Sequence, residues 1–262
     1  MDMIVCVKRV PDTSESNIKI DSTEKGIVQD GLVFNINEAD NYALEEALLI
    51  KEKLGGTVTL LTLGDKPSEE TLRMGLAKGA DAAIRLEDPA FAGSDGLAKA
   101  RILAAAVKDL PYELILTGCI ASDDWASIVG PALAEYLGIP HAALVAKTEL
   151  EEKSARVSRE LEGGLLEVLD IQLPAVLTIQ TGINEPRYAS IMGIAKASKK
   201  EITVKGAEDL GLDAGTIGKV GSKSSIAKLT LPVQEKMAEM IPGEPDEAAG
   251  KLASILRERG LA

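Results

Sequence analysis

Thr57-Val-Thr-Leu-Leu-Thr-Leu63, closed by Gly64-Asp65, is followed by a segment from Ser68 to Lys78 and then by Ala82-Ala-Ile-Arg-Leu86. The first run is rich in Thr, Val and Leu and has the length of a strand. Ser68, with Glu70 and Thr71 behind it, opens a helix that runs to about Lys78. Ala82–Leu86 is a strand again. Two strands joined by one helix must run parallel, with a right-handed crossover.

The same alternation continues outward in both directions. Residues 3–7, Met-Ile-Val-Cys-Val, form a first strand that ends in the turn Lys8-Arg9-Val10-Pro11-Asp12. Residues 27–34 are expected to add an edge strand. Asn37 is placed to cap a helix that runs to Lys53, because Tyr42, Ala43, Ala47, Ile50 and Leu54 recur at helical spacing. Gly55-Gly56 ends it. A helix over 95–109, a strand over Tyr112–Thr117 and a helix over 125–137 follow. The pattern predicts an α/β fold: a Rossmann-like parallel sheet with helices on both faces, three layers deep.

After residue 140 the character changes. Residues 142–148, 155–161, 165–171 and 175–180 read as strands, with Gly163-Gly164 as a hairpin turn. From Glu208 the chain is rich in Gly, Ser and Lys and loses its periodicity until about Glu244. The expected division is therefore an α/β nucleotide-binding domain over 1–207, then an arm and helix over 208–262. The helix is expected from Asp246 to Arg259. Such an arm needs a partner surface to lie on.

Composition narrows the function. Of the 262 residues 45% are apolar but only 3% aromatic, so the core is built from Ala, Val, Ile and Leu. The formal charge of −12 argues against nucleic acid or an anionic membrane as partner. No apolar run is long enough for a membrane span, and the first residues read as a strand rather than a signal peptide, which predicts a cytoplasmic protein. Two cysteines and one histidine leave almost no ligands for a metal site, and His141 reads as structural.

In an open parallel sheet, ligands bind at the carboxyl ends of the strands. Here those ends are residues 6–12, 35–40, 63–66 and 117–127. The segment Thr117-Gly118-Cys119-Ile120-Ala121-Ser122-Asp123-Asp124-Trp125-Ala126-Ser127-Ile128-Val129-Gly130-Pro131 leads from a strand end through small residues into a helix. It reads equally as a phosphate loop or as an ordinary connection capped by Ser122 or Asp123. Neither a G-x-G-x-x-G nor a Walker loop is present. Asp123-Asp124 reads as a helix cap, Trp125 as a core residue, and Asp40, three residues after Asn37, as a residue facing the site. With no nucleophile paired to a base, the residues suit a carrier or binding protein better than a hydrolase.

Residues 156–204 carry Glu162-Gly163-Gly164, Leu173-Pro174-Ala175-Val176, Asn184-Glu185-Pro186-Arg187-Tyr188 and then a lysine-rich stretch. Together with Val5-Cys6-Val7-Lys8-Arg9-Val10-Pro11-Asp12, Asn37 to Leu48, and Phe91-Ala92-Gly93-Ser94-Asp95, this closely resembles the β subunits of electron transfer flavoproteins of the bacterial type. The likeness covers nearly the whole chain. It implies an electron carrier subunit rather than a free-standing enzyme, in a heterodimer whose α subunit holds most of an FAD site. It also implies an adenine nucleotide in the β subunit: AMP in simple carriers, or a second FAD in the electron-bifurcating, NADH-dependent kind. Implied redox partners are an acyl-CoA dehydrogenase or similar flavoenzyme and a downstream membrane or soluble oxidoreductase.

By position, the resemblance implies a nucleotide site at Cys6, Asn37, Ala39, Asp40, Leu63, Gly118, Cys119, Ala121, Ser122, Asp123, Asp124, Trp125, Ala126, Ser127, Ile128, Val129 and Gly130. Thr13 and Ala39 fall where the family approaches the shared flavin ring. A partner-docking loop is implied at Glu185, Pro186, Arg187 and Tyr188, with Ile191 as an aliphatic anchor and Lys196, Lys199 and Lys200 as a basic patch. The phosphate loop departs from the family pattern: Cys119 replaces a lysine, Ile120 and Ile128 replace glutamines, and Ser122 replaces an isoleucine. A nucleotide-sensing or ATP-hydrolysing α/β protein is the reading from another class. It would need a gripping loop or catalytic base that the sequence lacks.

Overall fold

The computed structural model describes residues 1–14, 17–151, 153–232 and 238–261. In chain order the strands and helices are β1 (Met3–Cys6), β2 (Arg9–Pro11), β3 (Phe34–Ile36), α1 (Glu38–Leu54), β4 (Val58–Leu63), α2 (Glu69–Lys78), β5 (Ala82–Leu86), α3 (Gly96–Val107), β6 (Leu114–Gly118), α4 (Val129–Leu137), β7 (His141–Leu150), β8 (Ser154–Leu161), β9 (Leu165–Gln172), β10 (Ala175–Ile179), α5 (Ile191–Ala197), β11 (Thr203–Lys205), α6 (Gly218–Gly221) and α7 (Pro245–Glu258).

One nine-stranded sheet runs in the order β11-β5-β4-β1-β6-β10-β7-β8-β9. From β11 to β7 every pair is parallel. The last two pairs, β7–β8 and β8–β9, are antiparallel, as hairpin-linked strands must be. Met3, Val5, Val58, Leu60, Leu114, Leu116 and Leu177 point to one face, where α1 and α2 cover them. Ile4, Cys6, Leu61, Ile115 and Val176 point to the other, under α3 and α4. Alternation along the strands thus yields two apolar cores and three layers, α on β on α.

The central feature for function is the reversal of strand order at β1. The chain runs outward through β4 to β5 on one side, then returns to place β6 on the other. The carboxyl ends of β1 and β6 therefore flank an opening that no crossover helix closes, the topological switch point of the sheet.

Three expectations are corrected. The edge strand expected over 27–34 is instead β3, which pairs antiparallel with β2 in a separate two-stranded sheet. Before Phe34, which opens β3, only Ile27 of this stretch forms a bridge, to Ile20. The helix expected from residue 125 begins at Val129, because Trp125 and Ser127 adopt left-handed backbone, φ 51° for each. A right-handed helix cannot pass through them. Trp125 itself is not in the core but 72% exposed.

Helix α5 and the edge strand β11 had no periodic signal, being 7 and 3 residues long. Arg73 of α2 fixes α5 by donating to the carbonyls of Ala197, at 2.7 Å, and Lys200. The chain stays on the body past residue 208. Ile217 is buried, and the Asp95 carboxylate accepts from the backbone N–H groups of Lys223 and Ser224. Part of the expected arm, 233–237, lies outside the described residues. Helix α7 buries none of its residues. Among the described residues no helix is long and apolar enough to cross a membrane.

Candidate nucleotide site at the switch point

A cleft open to solvent lies between the ends of β1 and β6. Its apolar wall includes Cys6, Val7, Leu61, Leu63 and Leu103; its polar end is built by Lys8, Asp40, Lys99 and the loop from Thr117 to Gly130. Residues from five separate stretches of sequence meet here because parallel strands all end on one edge.

Helix α1 holds the loop in place through its first residues. Asn37 sits at the cap position, but its side chain makes no cap. Its Nδ2 donates to the Ile120 carbonyl at 2.8 Å, and its Oδ1 accepts from Ser122 N–H at 3.1 Å. Asp40 accepts from the backbone N–H groups of Lys8 at 2.8 Å and Gly118 at 2.9 Å. One carboxylate thus ties together the ends of β1 and β6. Burial pushes the Asp40 carboxyl up to about 7, against the pull of those hydrogen bonds. Burial, with the charge of Asp40, pushes the Cys6 thiol up to about 12, and burial also raises Cys119. Neither thiol is a thiolate at neutral pH.

Asp123 and Asp124 do not cap α4. The Lys8 ammonium lies 2.5 Å from Asp123 and 3.0 Å from Asp124, and Asp124 also accepts from Ala126 N–H. Burial works against the Lys8 charge, but these two carboxylates outweigh it and raise its pKa above the ordinary lysine value. Burial likewise opposes ionisation of Asp124, and the Lys8 hydrogen bond overcomes it. The position before α4 falls to Ile128, which offers no side-chain cap. Val129 and Gly130 line the cleft, and their first-turn N–H groups have no intrahelical acceptor.

Of the residues expected by resemblance, Cys6, Asp40, Leu63, Gly118, Cys119, Ala121, Asp124, Ala126, Ser127, Ile128, Val129 and Gly130 line this one cleft. Asn37 and Ala39 are buried behind it, and Ser122, Asp123 and Trp125 stand on its outer rim. Ala39 lies beneath Gly118: a side chain at Gly118 would meet the Ala39 Cβ at 2.7 Å and the Asp40 carboxylate at 2.5 Å. Gly118 is thus required first by the fold itself. Thr13 is exposed in the turn after β2. Lys8 and Arg9 fall within the strand end at 6–12 but outside the residues expected by resemblance, and Lys99 lies outside both. Lys8 and Arg9 directly follow the first strand, a signal for the cleft edge; Lys99, inside a helix, gave none.

The docking loop divides in two. Asn184 and Arg187 are held inside the chain. Asn184 donates to the carbonyl of Tyr42 and to Glu46, while Arg187 pairs with Glu45 and Glu52 of α1 at 2.8 and 2.6 Å. Lys200 is also occupied, by the carbonyls of Ala80 and Asp81. Tyr188 and Ile191, by contrast, are 98% and 87% exposed, and Glu185 and Lys196 are exposed beside them. Arg187 therefore fastens the loop to α1, and the residues beyond it project.

Residues 25–210 match the family described as the electron transfer flavoprotein domain. The chain is 39% identical over 260 residues to "Electron transfer flavoprotein subunit beta" of Thermoanaerobacterium thermosaccharolyticum, covering 99% of both chains. It is 38% identical to "Caffeyl-CoA reductase-Etf complex subunit CarD" of Acetobacterium woodii, over the full length of each. It is 35% identical to "Protein FixA" of Azotobacter vinelandii, covering 92% of this chain and 88% of that one. With these likenesses running nearly end to end, the chain belongs to the electron transfer flavoprotein family, among its β subunits.

Proposed function

We propose that the chain works in the cytoplasm as the β subunit of a heterodimer. That heterodimer shuttles electrons between dehydrogenases, such as acyl-CoA dehydrogenases, and a membrane or soluble acceptor. FAD is shared with the α subunit, and an adenine nucleotide fills the cleft. The observation that carries this reading is the join of an apolar wall to an uncapped helix N-terminus at the switch point. A flat base suits the side formed by Cys6, Leu61, Leu63 and Leu103. A phosphate suits the N–H groups of Val129 and Gly130, where the helix dipole favours negative charge. Bound FAD would supply the redox chemistry. The chain's own residues bind, orient and dock, and neither cysteine thiol is ionised for chemistry of its own.

The uncovered helix α7 suits an arm that packs on the α subunit. Ile191, Tyr188 and Lys196 suit a small docking surface with one apolar anchor and a charged rim. A second reading places FAD, rather than AMP, in the cleft, as in a two-flavin, NADH-dependent bifurcating protein. The near end-to-end likeness to a subunit of a caffeyl-CoA reductase-Etf complex supports it.

The test is to purify the αβ complex, denature it and quantify the released nucleotides. One FAD with one AMP supports the simple carrier, and two FAD support the second reading. FAD alone, with ATP turnover by the isolated chain, would replace both with a nucleotide-hydrolysing protein.

A further inference from the structure

The loop that meets the cleft from residue 118 to 130 contains two acids and no lysine or arginine. Its Cys119 thiol points away, donating to Gln180 Oε1 at 3.0 Å. The cations in the cleft come from elsewhere, and they are not equivalent. Lys8 is neutralised by Asp123 and Asp124 at 2.5 and 3.0 Å. Lys99 lies on α3, one turn past Gly96, whose Cα environment abuts Ile128 and Val129 at the start of α4. Its side chain is two-thirds buried and lines the cleft. Its ammonium is 3.9 Å from Asp124 Oδ2, beyond hydrogen-bonding reach, and has no hydrogen-bond acceptor among the described residues. A two-thirds-buried ammonium with only a long ion pair to Asp124, beside a helix N-terminus whose first-turn N–H groups lack an intrahelical acceptor, suits an anion.

We propose that Lys99, reaching across from α3 to the start of α4, is the phosphate-selecting residue of this cleft, and that Asp124 tempers its grip. This rests on the adenine-nucleotide reading above. The 5′-phosphate accepts from Val129 and Gly130 N–H and from Lys99 Nζ together. Asp124 shares Lys8 and stands next to the same phosphate, so it lowers affinity by like-charge repulsion and keeps the nucleotide exchangeable. Lys8 stays with the acids and stabilises the loop rather than the ligand. Burial, followed by the charge of Lys8, lowers the Lys99 pKa, and a bound phosphate relieves that penalty.

The experiment titrates nucleotide-stripped αβ complex with AMP and with adenosine, which differ only by the phosphate. Wild type is expected to prefer AMP by about tenfold or more, as a charge-assisted hydrogen bond supplies. Lys99→Met keeps the buried stem and should erase that preference while leaving adenosine binding unchanged; Lys99→Arg should restore it. Asp124→Asn keeps the acceptor for Ala126 N–H and should tighten AMP alone, roughly three- to tenfold. If Lys99→Met weakens AMP and adenosine equally, or neither, the assignment is overturned. If Lys99→Met does not fold, an Asp124→Asn complex with unchanged AMP affinity overturns it. Wild type that binds neither compound overturns the adenine reading itself, a result distinct from loss of selectivity alone.

Discussion

Helices α1 and α7 have 17 and 14 residues, yet α1 buries nine of them and α7 none. Both are amphipathic. In α1, Ala43, Leu44, Ala47 and Leu48 lie on the sheet, and even Asp40, Glu45 and Glu46 are covered and paired. In α7, Leu252 and Ile255 lie on one stripe at helical spacing but stay uncovered. An apolar stripe records that a surface is meant to be covered, but not by which chain. For α1 the cover is its own sheet; α7 has no such cover among the described residues.

The sharpest way to break this comparison is a pair of variants. Leu44→Ala should destabilise the isolated chain by about 2–5 kcal/mol, measured by urea unfolding. Leu252→Asp with Ile255→Asp should leave that midpoint within about 0.5 kcal/mol of wild type, yet reduce recovery of the αβ complex in co-expression. An equal loss of stability from the α7 pair would mean that this helix is covered by its own chain.

A smaller effect separates the charges of α1 from ordinary surface acids. The Asp40 carboxyl is raised from 3.8 to about 7 in the folded chain. Between those values the folded state holds more of the proton than the unfolded state does. Stability from this group is therefore greatest near the lower value, falls as pH rises towards 7, and is flat above. The change across the window is on the order of a few kcal/mol. Thermal melting at pH 5.5 and 8 should show the decline, and Asp40→Asn should flatten it. A decline of the same size in Asp40→Asn would move the cause to another group.

The smallest effect belongs to α5, which lies between the two extremes, with Ala197 buried and Ile191 projecting. Burying such a side chain transiently in a partner is worth roughly 1.5–3 kcal/mol. Ile191→Ala should therefore slow flavin reduction by a cognate dehydrogenase about tenfold or more in stopped flow, with flavin content and assembly unchanged. Lys196→Glu should lower the on-rate at low salt only. Wild-type rates for Ile191→Ala would remove the anchor and leave α5 as ordinary surface.

The sheet was legible because it is built from short apolar runs separated by helices, and alternation of that kind has few topological solutions. The carboxyl edge was legible for the same reason, which is why most of the expected cleft residues meet. What the sequence hid was local conformation and side-chain direction. Nothing in Ser122 to Ile128 announces that Trp125 and Ser127 turn left-handed and delay α4. Asn37 has the chemistry of a cap, and only the nearby loop explains why its amide is used elsewhere. Arg187 looks like a docking residue by position, but two glutamates on α1 hold it. Lys99 matters only through the packing of α3 beside α4, a contact with no local signature.

The placement of Trp125 has an optical consequence. It is the single tryptophan of the chain, held on the rim of the cleft with its indole N–H donating to the Ser122 carbonyl at 3.0 Å. An indole so open to water emits at long wavelength, and any shift of the neighbouring loop changes both its solvent and its hydrogen bond. The isolated chain thus carries a built-in fluorophore on the segment that would grip a phosphate. Loop motion and occupancy can be followed by emission colour and lifetime, without attaching a dye or replacing a residue.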